Sequence, residues 1–194
     1  MKSRIMTLPF SRLNIRDLAS VALFACLTAL GARITLPLPF TPVPLTMQVV
    51  PVLLSGLMLG WRRGAASQVA YLLAIASGLP LDARMLGPLA LFGPTGGYLL
   101  GFVVAAAIAG WVSERVPSWR ARHFPAAVSG LVGLYVCGTL WLAVYLRLAP
   151  DAAVRLGVLP FVLPDLAKAL LAAAIAMVPG SRNGRPSALH RPGR

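Results

Sequence analysis

An acid and a base stand three residues apart in "LPFVLPDLAKALLAAAIAMV", which runs from Leu159 to Val178 and holds no other charge. On a helix, residues i and i+3 share a face, so Asp165 and Lys168 project together. Each such charge costs roughly 2.5–3.5 kcal/mol at the centre of a membrane helix. Pro164 suits a first helical position. Asp165 then falls in the first turn, where the helix dipole favours an anion, with Lys168 about 4–6 Å deeper at about 1.5 Å per residue. Two chemistries fit. One is a closed ion pair with a snorkelling or bridged lysine. The other is a ligand clamp, in which the carboxylate accepts hydrogen bonds from N–H donors and the ammonium binds a carboxylate. A ligand carrying both groups would satisfy both charges.

Two further stretches offer polar groups. In "LFGPTGGYLLG" (91–101) Gly93-Pro94 marks a turn and Gly96 and Gly97 permit close backbone approach. Tyr98 brings an amphipathic ring to the start of the next segment. Free amides there suit an anion or a carbonyl, and a plain glycine-rich helix entry suits the pattern equally. Gln48, near the start of an apolar stretch, either packs against a loop or lines a pocket. The familiar catalytic patterns are missing: no GxxxxGK[ST] phosphate loop, no HExxH, no GxSxG and no helical pair of carboxylates. Asp17, Asp82, Glu114 and Asp151 fall in or near the expected loops and ends, and His123 and His190 read as solvated. Neither cysteine, Cys26 or Cys137, has metal-ligand spacing, and both lie in apolar stretches. The expectation is a protein without metal, cofactor or catalytic centre, drawing any energy for transport from elsewhere.

The elements that hold these residues are apolar. Of 194 residues 58% are hydrophobic and 12% charged, against about 25% charged in soluble domains. An all-α integral membrane protein follows, with six helices expected over 17–36, 47–61, 64–80, 94–114, 124–148 and 160–178. "LPLPFTPVPLT" (36–46) is too proline-rich to be helical throughout. "WRRG" (61–64) reads as a tight basic turn, and 78–94 and 147–160 read as connections. Residues 1–180 form one membrane domain, and 181–194 a basic disordered tail. The net charge of +13 is read as a topology signal. With both termini cytoplasmic, Lys2, Arg4, Arg12, Arg16, Arg62, Arg63, Arg115, Arg120, Arg122 and the four arginines of the tail lie inside, and Arg33, Arg84, Arg147 and Arg155 outside. A cleaved leader ending near "ALGA" (29–32) is the alternative for the first segment and fits the charges too. Small residues line two faces. Gly97, Gly101, Ala105 and Ala109 suit internal packing, and Ala22, Ala25, Ala29 and Ala32 suit either packing or a partner.

Together "PVPLTMQVVPVLLSGLMLGWRRGA", "YLLAIASGLPL", "GPTGGYLLGF" and "LPDLAKALLA" closely resemble one family, the BioY proteins. These are biotin-specific substrate-binding S components of energy-coupling-factor (ECF) transporters. The resemblance implies a six-helix bundle in a bacterial cell membrane, an outward-facing vitamin site, and no ATPase of its own. It implies that Asp165 and Lys168 meet biotin, with Tyr98, Gly97 and Gln48 around them. In the simplest assignment Asp165 takes the ureido N–H groups and Lys168 the carboxylate. In the other, both crowd one end and Lys168 neutralises Asp165. The resemblance also implies docking to a transmembrane coupling subunit, itself joined to ATPases, through small residues on the first helix, for which Ala22, Ala25 and Ala29 are the candidates. Two positions depart from the family pattern. Its glycine-rich loop is "LDARMLG" here, with Met85 where a small polar residue is usual, and Leu99 stands where some members have arginine. Arg84 is the candidate replacement as carboxylate partner. A different small vitamin, or a membrane scaffold without ligand, are the alternative functions.

Overall fold

The computed structural model describes residues 14–116 and 122–178. Among the described residues, eight α-helices and one short hairpin occur in the order α1 (Ile15–Gly31), β1 (Thr35–Leu36), β2 (Leu45–Thr46), α2 (Val49–Leu59), α3 (Trp61–Ala76), α4 (Leu89–Phe92), α5 (Gly96–Arg115), α6 (His123–Leu146), α7 (Pro150–Gly157) and α8 (Val162–Ala176). The six longest correspond to the six expected segments. By length and composition α5 and α6 can each cross a membrane alone, and α7 with α8 forms a third candidate span bent by 53°. The basic tail, together with Lys2, Arg4, Arg12, Arg120 and His190, lies outside the described residues.

Proline sets several helix starts. Pro51, Pro125 and Pro164 each occupy the third position of their helix, in α2, α6 and α8. The amide there has no intrahelical acceptor, so a residue without N–H removes an unsatisfied donor at no loss. For α8 this corrects the expected start by two residues. Val162 is the first helical position, and the Asp165 amide already donates to the Phe161 carbonyl at 2.8 Å. The basic turn at 61–64 is corrected too. The break is the single residue Gly60, at φ 82°, and Arg62 and Arg63 belong to the first turn of α3. The Glu114 carboxylate accepts from the Trp61 amide there at 3.3 Å.

Close backbone approach holds the bundle together. A Cβ on Gly56 would sit 2.2 Å from the Ala106 carbonyl oxygen, and one on Gly110 would sit 2.4 Å from the Trp61 amide. Only glycine lets α2, α3 and α5 meet this tightly. Along α5, Gly101, Ala105 and Ala109 are buried, and all three pack against α6. α1 lies against α2 and α3. Its Thr28 hydroxyl reaches the Gln68 amide oxygen at 3.2 Å, and Gln68 in turn donates to Ser55 and Ser67. All four side chains are buried, so this polar network is closed within the helices. Of the alanine face on α1, Ala32 is buried, Ala25 and Ala29 are half-buried, and Ala22 is exposed.

The two connections hold structure that was not expected. Residues 36–46 make the tip of the β1–β2 hairpin, paired Thr35 to Thr46 and Leu36 to Leu45. The 147–160 connection contains α7, with Pro150 at its first position. His123 is not solvated. It is buried at the start of α6, with its Nδ1 3.3 Å from the Ser113 hydroxyl.

Candidate binding site

One cavity opens at the end of the bundle where α1, α3 and α6 finish and α2, α5 and α8 begin. Some 620 Å³ of space lies within its walls and mouth, open solvent included. Its walls are largely apolar: Val43, Leu45, Val49, Leu99, Phe102, Leu134 and Phe161. Into them project Gln48, Asp82, Arg84, Tyr98, Tyr135, Asp165 and Lys168.

Asp165 and Lys168 do share a face, as their spacing requires, and both are buried, at 4% and 7% exposure. Lys168 Nζ donates to Asp165 Oδ1 at 2.7 Å, and the Tyr135 hydroxyl donates to Asp165 Oδ2 at 2.9 Å. Asp165 is therefore held by side chains rather than by free amides of the first helical turn. It also lies in the first turn of α8, where the helix dipole favours an anion. Lys168 keeps two further N–H donors beyond its bond to Asp165. The arrangement is a neutral pair that can both accept from and donate to one polar ligand end.

Gln48 is buried at the start of α2 and donates from Nε2 to the Tyr71 hydroxyl at 2.7 Å; Tyr71 in turn donates to the Leu81 carbonyl at 3.2 Å. Gln48 thus does both things its position allowed, fastening a loop and lining the cavity. Tyr98 donates to the Gly157 carbonyl at 2.7 Å. A Cβ on Gly138 would lie 2.2 Å from the Tyr98 ring, so the ring is clamped between α6 and the end of α7. Arg84 is exposed at the mouth, and its guanidinium donates to the Pro42 carbonyl across the opening. Gly97 is different. It does not line the cavity, and a Cβ there would sit 2.1 Å from Trp141 Cβ and 2.8 Å from the Cys137 carbonyl oxygen. The structure gives Gly97 a packing place on α6, on a side of α5 away from the site.

A family model for the BioY family matches residues 2–182. The chain belongs to the BioY family. Among curated BioY relatives, a probable biotin transporter of Pyrococcus horikoshii is 39% identical over 84% of this chain and 96% of its own length. A biotin transporter of Thermotoga maritima is 38% identical over 84% and 95%, and one of Rhodobacter capsulatus is 36% identical over 90% and 97%. The fold is similar to that of a solved S component for biotin from an ECF-type ABC transporter. The TM-score is 0.76 at 22% identity, over 84% of this chain and 89% of that one. With its apolar helices, this BioY chain is a multi-pass membrane protein of a transporter family.

Tyr135 and Asp82 are members of this BioY cavity that the sequence did not mark as site residues. Tyr135 sits in an apolar run with nothing beside it to mark it, and only the packing of α6 on α8 brings it to Asp165. Asp82 lies in the loop between α3 and α4, as expected, and is buried there at 3% exposure. Its signal was present: an aspartate followed by a glycine-bearing turn often folds back on its own backbone.

Proposed function

We propose that this chain is the biotin-binding S component of a vitamin importer. It captures biotin at the outer membrane face and delivers it inward with the transmembrane coupling subunit and ATPases of an ECF transporter. The chain supplies binding and no catalysis, cofactor or metal. The proposal includes six spans, both termini in the cytoplasm and residence in the bacterial inner membrane. The positive-inside distribution of arginine supports it.

The observation that carries this reading is the Tyr135–Asp165–Lys168 cluster buried in a mostly apolar cavity, in a chain of this family. Biotin has a ureido ring with two N–H groups and a carbonyl at one end, and a carboxylate at the other. The 2.7 Å Asp165–Lys168 contact favours both residues meeting the same end. The ureido N–H groups approach the remaining lone pairs of Asp165, the ureido carbonyl takes a Lys168 N–H, and the apolar walls hold the rest. The carboxylate then points to the mouth, where Arg84 is the available cation. The 36–46 and 80–93 segments flank that mouth and would cover it.

Equilibrium binding to the purified protein tests this with biotin, desthiobiotin and riboflavin. Saturable biotin binding, desthiobiotin weaker and riboflavin absent, is expected. Riboflavin binding in place of biotin supports the second reading, a different vitamin, which the altered "LDARMLG" loop with Met85 favours. Binding of none of the three favours a scaffold without ligand.

A further inference from the structure

The buried acid in the cavity wall that lacks an ionic partner is Asp82. Among the described residues no lysine or arginine pairs with it. Instead its Oδ2 accepts the Arg84 amide at 2.9 Å and its Oδ1 accepts the Gly87 amide at 2.8 Å. Its carbonyl also accepts the Met85 amide at 3.2 Å. The loop between these bonds is not relaxed backbone. Met85 has φ 56° and Gly87 has φ 58°, and the first is uncommon for a residue with a side chain. A charged acceptor bonded to two amides is a strong fastening, more so where water is scarce. The fold so fixed presents Arg84 at the cavity mouth, with its guanidinium on the Pro42 carbonyl of the opposite segment.

We infer that Asp82 is a positioning residue for ligand recognition: its carboxylate folds 82–87 into a rigid turn that aims Arg84 at an anionic ligand group entering the mouth. This rests on the proposed reading of Arg84 as the carboxylate partner and adds the residue that holds it there. Rigidity is the gain. An arginine on a loose loop would lose conformational freedom on each binding event, whereas one on a fastened loop has lost it already.

Two measurements decide it. The first compares biotin with biotin amide, which keeps the ureido ring and loses the negative charge. Asp82→Ala and Arg84→Ala should each reduce the preference for biotin over the amide by about tenfold, and the double variant by no more than either alone, since residues acting through one another do not add. Asp82→Asn, which keeps a single acceptor oxygen, should recover part of the preference. Equal weakening of both ligands by Asp82→Ala, or losses that multiply in the double variant, would overturn the inference. The second measurement needs no ligand. Amide hydrogen exchange at Arg84 and Gly87 should quicken by about tenfold or more in Asp82→Ala, because two amides lose their acceptor. Unchanged exchange overturns the inference even if biotin binds. If the wild-type protein binds neither ligand while exchange responds, the biotin reading and the aiming of Arg84 fall together, and only the fastening of the turn stands.

Discussion

At Asp165 and Lys168 an ion pair and a ligand clamp make opposite predictions once both charges are removed together. Breaking a buried pair from one side leaves an uncompensated charge, which costs about 3–5 kcal/mol. Asp165→Asn and Lys168→Met should each lower the thermal midpoint in detergent, the second less where Tyr135 still donates to Asp165. Replacing both removes two buried charges at once and should return the midpoint close to wild type, since such exchanges are often neutral or stabilising. Biotin binding should be lost in all three. A double variant that is stable and still binds biotin would show that the pair is structural only. The residue types and spacing made this contrast visible in the sequence, because i, i+3 geometry is local. Tyr135 was not visible, because its meeting with Asp165 depends on how α6 packs on α8.

Elements were legible where their signal is a long apolar run. They were illegible where it is short or set by packing. The six long helices follow from hydropathy and most of the breaks from proline, the one at Gly60 excepted. By contrast α7 has eight residues, too few for periodicity to separate from a loop, and the β1–β2 hairpin has two residues per strand. Glycine motifs are ambiguous for a related reason. A small residue can face a ligand or a neighbouring helix, and only the crossing geometry decides. Gly97 and Gly133 lie on the same α5–α6 seam and differ in what an added methyl would meet. At Gly97 it meets Trp141 Cβ, fixed to the backbone, at 2.1 Å; at Gly133 it meets the flexible end of Ile108 at 2.6 Å. Gly97→Ala should therefore cost about 1–3 kcal/mol, the usual range for overpacking, and Gly133→Ala less than about 1 kcal/mol. Thermal denaturation compares them directly. A Gly97→Ala protein of wild-type stability that fails to bind biotin would return Gly97 to the site.

At the scale of the whole molecule, one helix faces two ways. The inner side of α1 buries Phe24, Thr28 and Gly31 against α2 and α3, and Thr28 is tied into the closed Gln68 network. Its register is thereby fixed, so its outer side presents a constant surface. On that surface the candidate docking residues are unequal. Ala25 and Ala29 pack partly against the core, so a large side chain at either would disturb the bundle as well as a partner. Ala22 is exposed and one turn nearer the helix start. Small residues matter to a membrane partner because they let backbones approach, and a bulky replacement removes that approach without touching the cavity. Ala22→Trp should bind biotin within about twofold of wild type, as expected for an exposed substitution far from the site, and should fail to copurify with a coexpressed coupling subunit. Ala25→Trp should also fail to copurify, with a lowered thermal midpoint that marks its second effect. An Ala22→Trp chain that still copurifies would place the contact elsewhere on the bundle, while one that loses biotin binding would mean that α1 and the cavity are coupled within the isolated subunit.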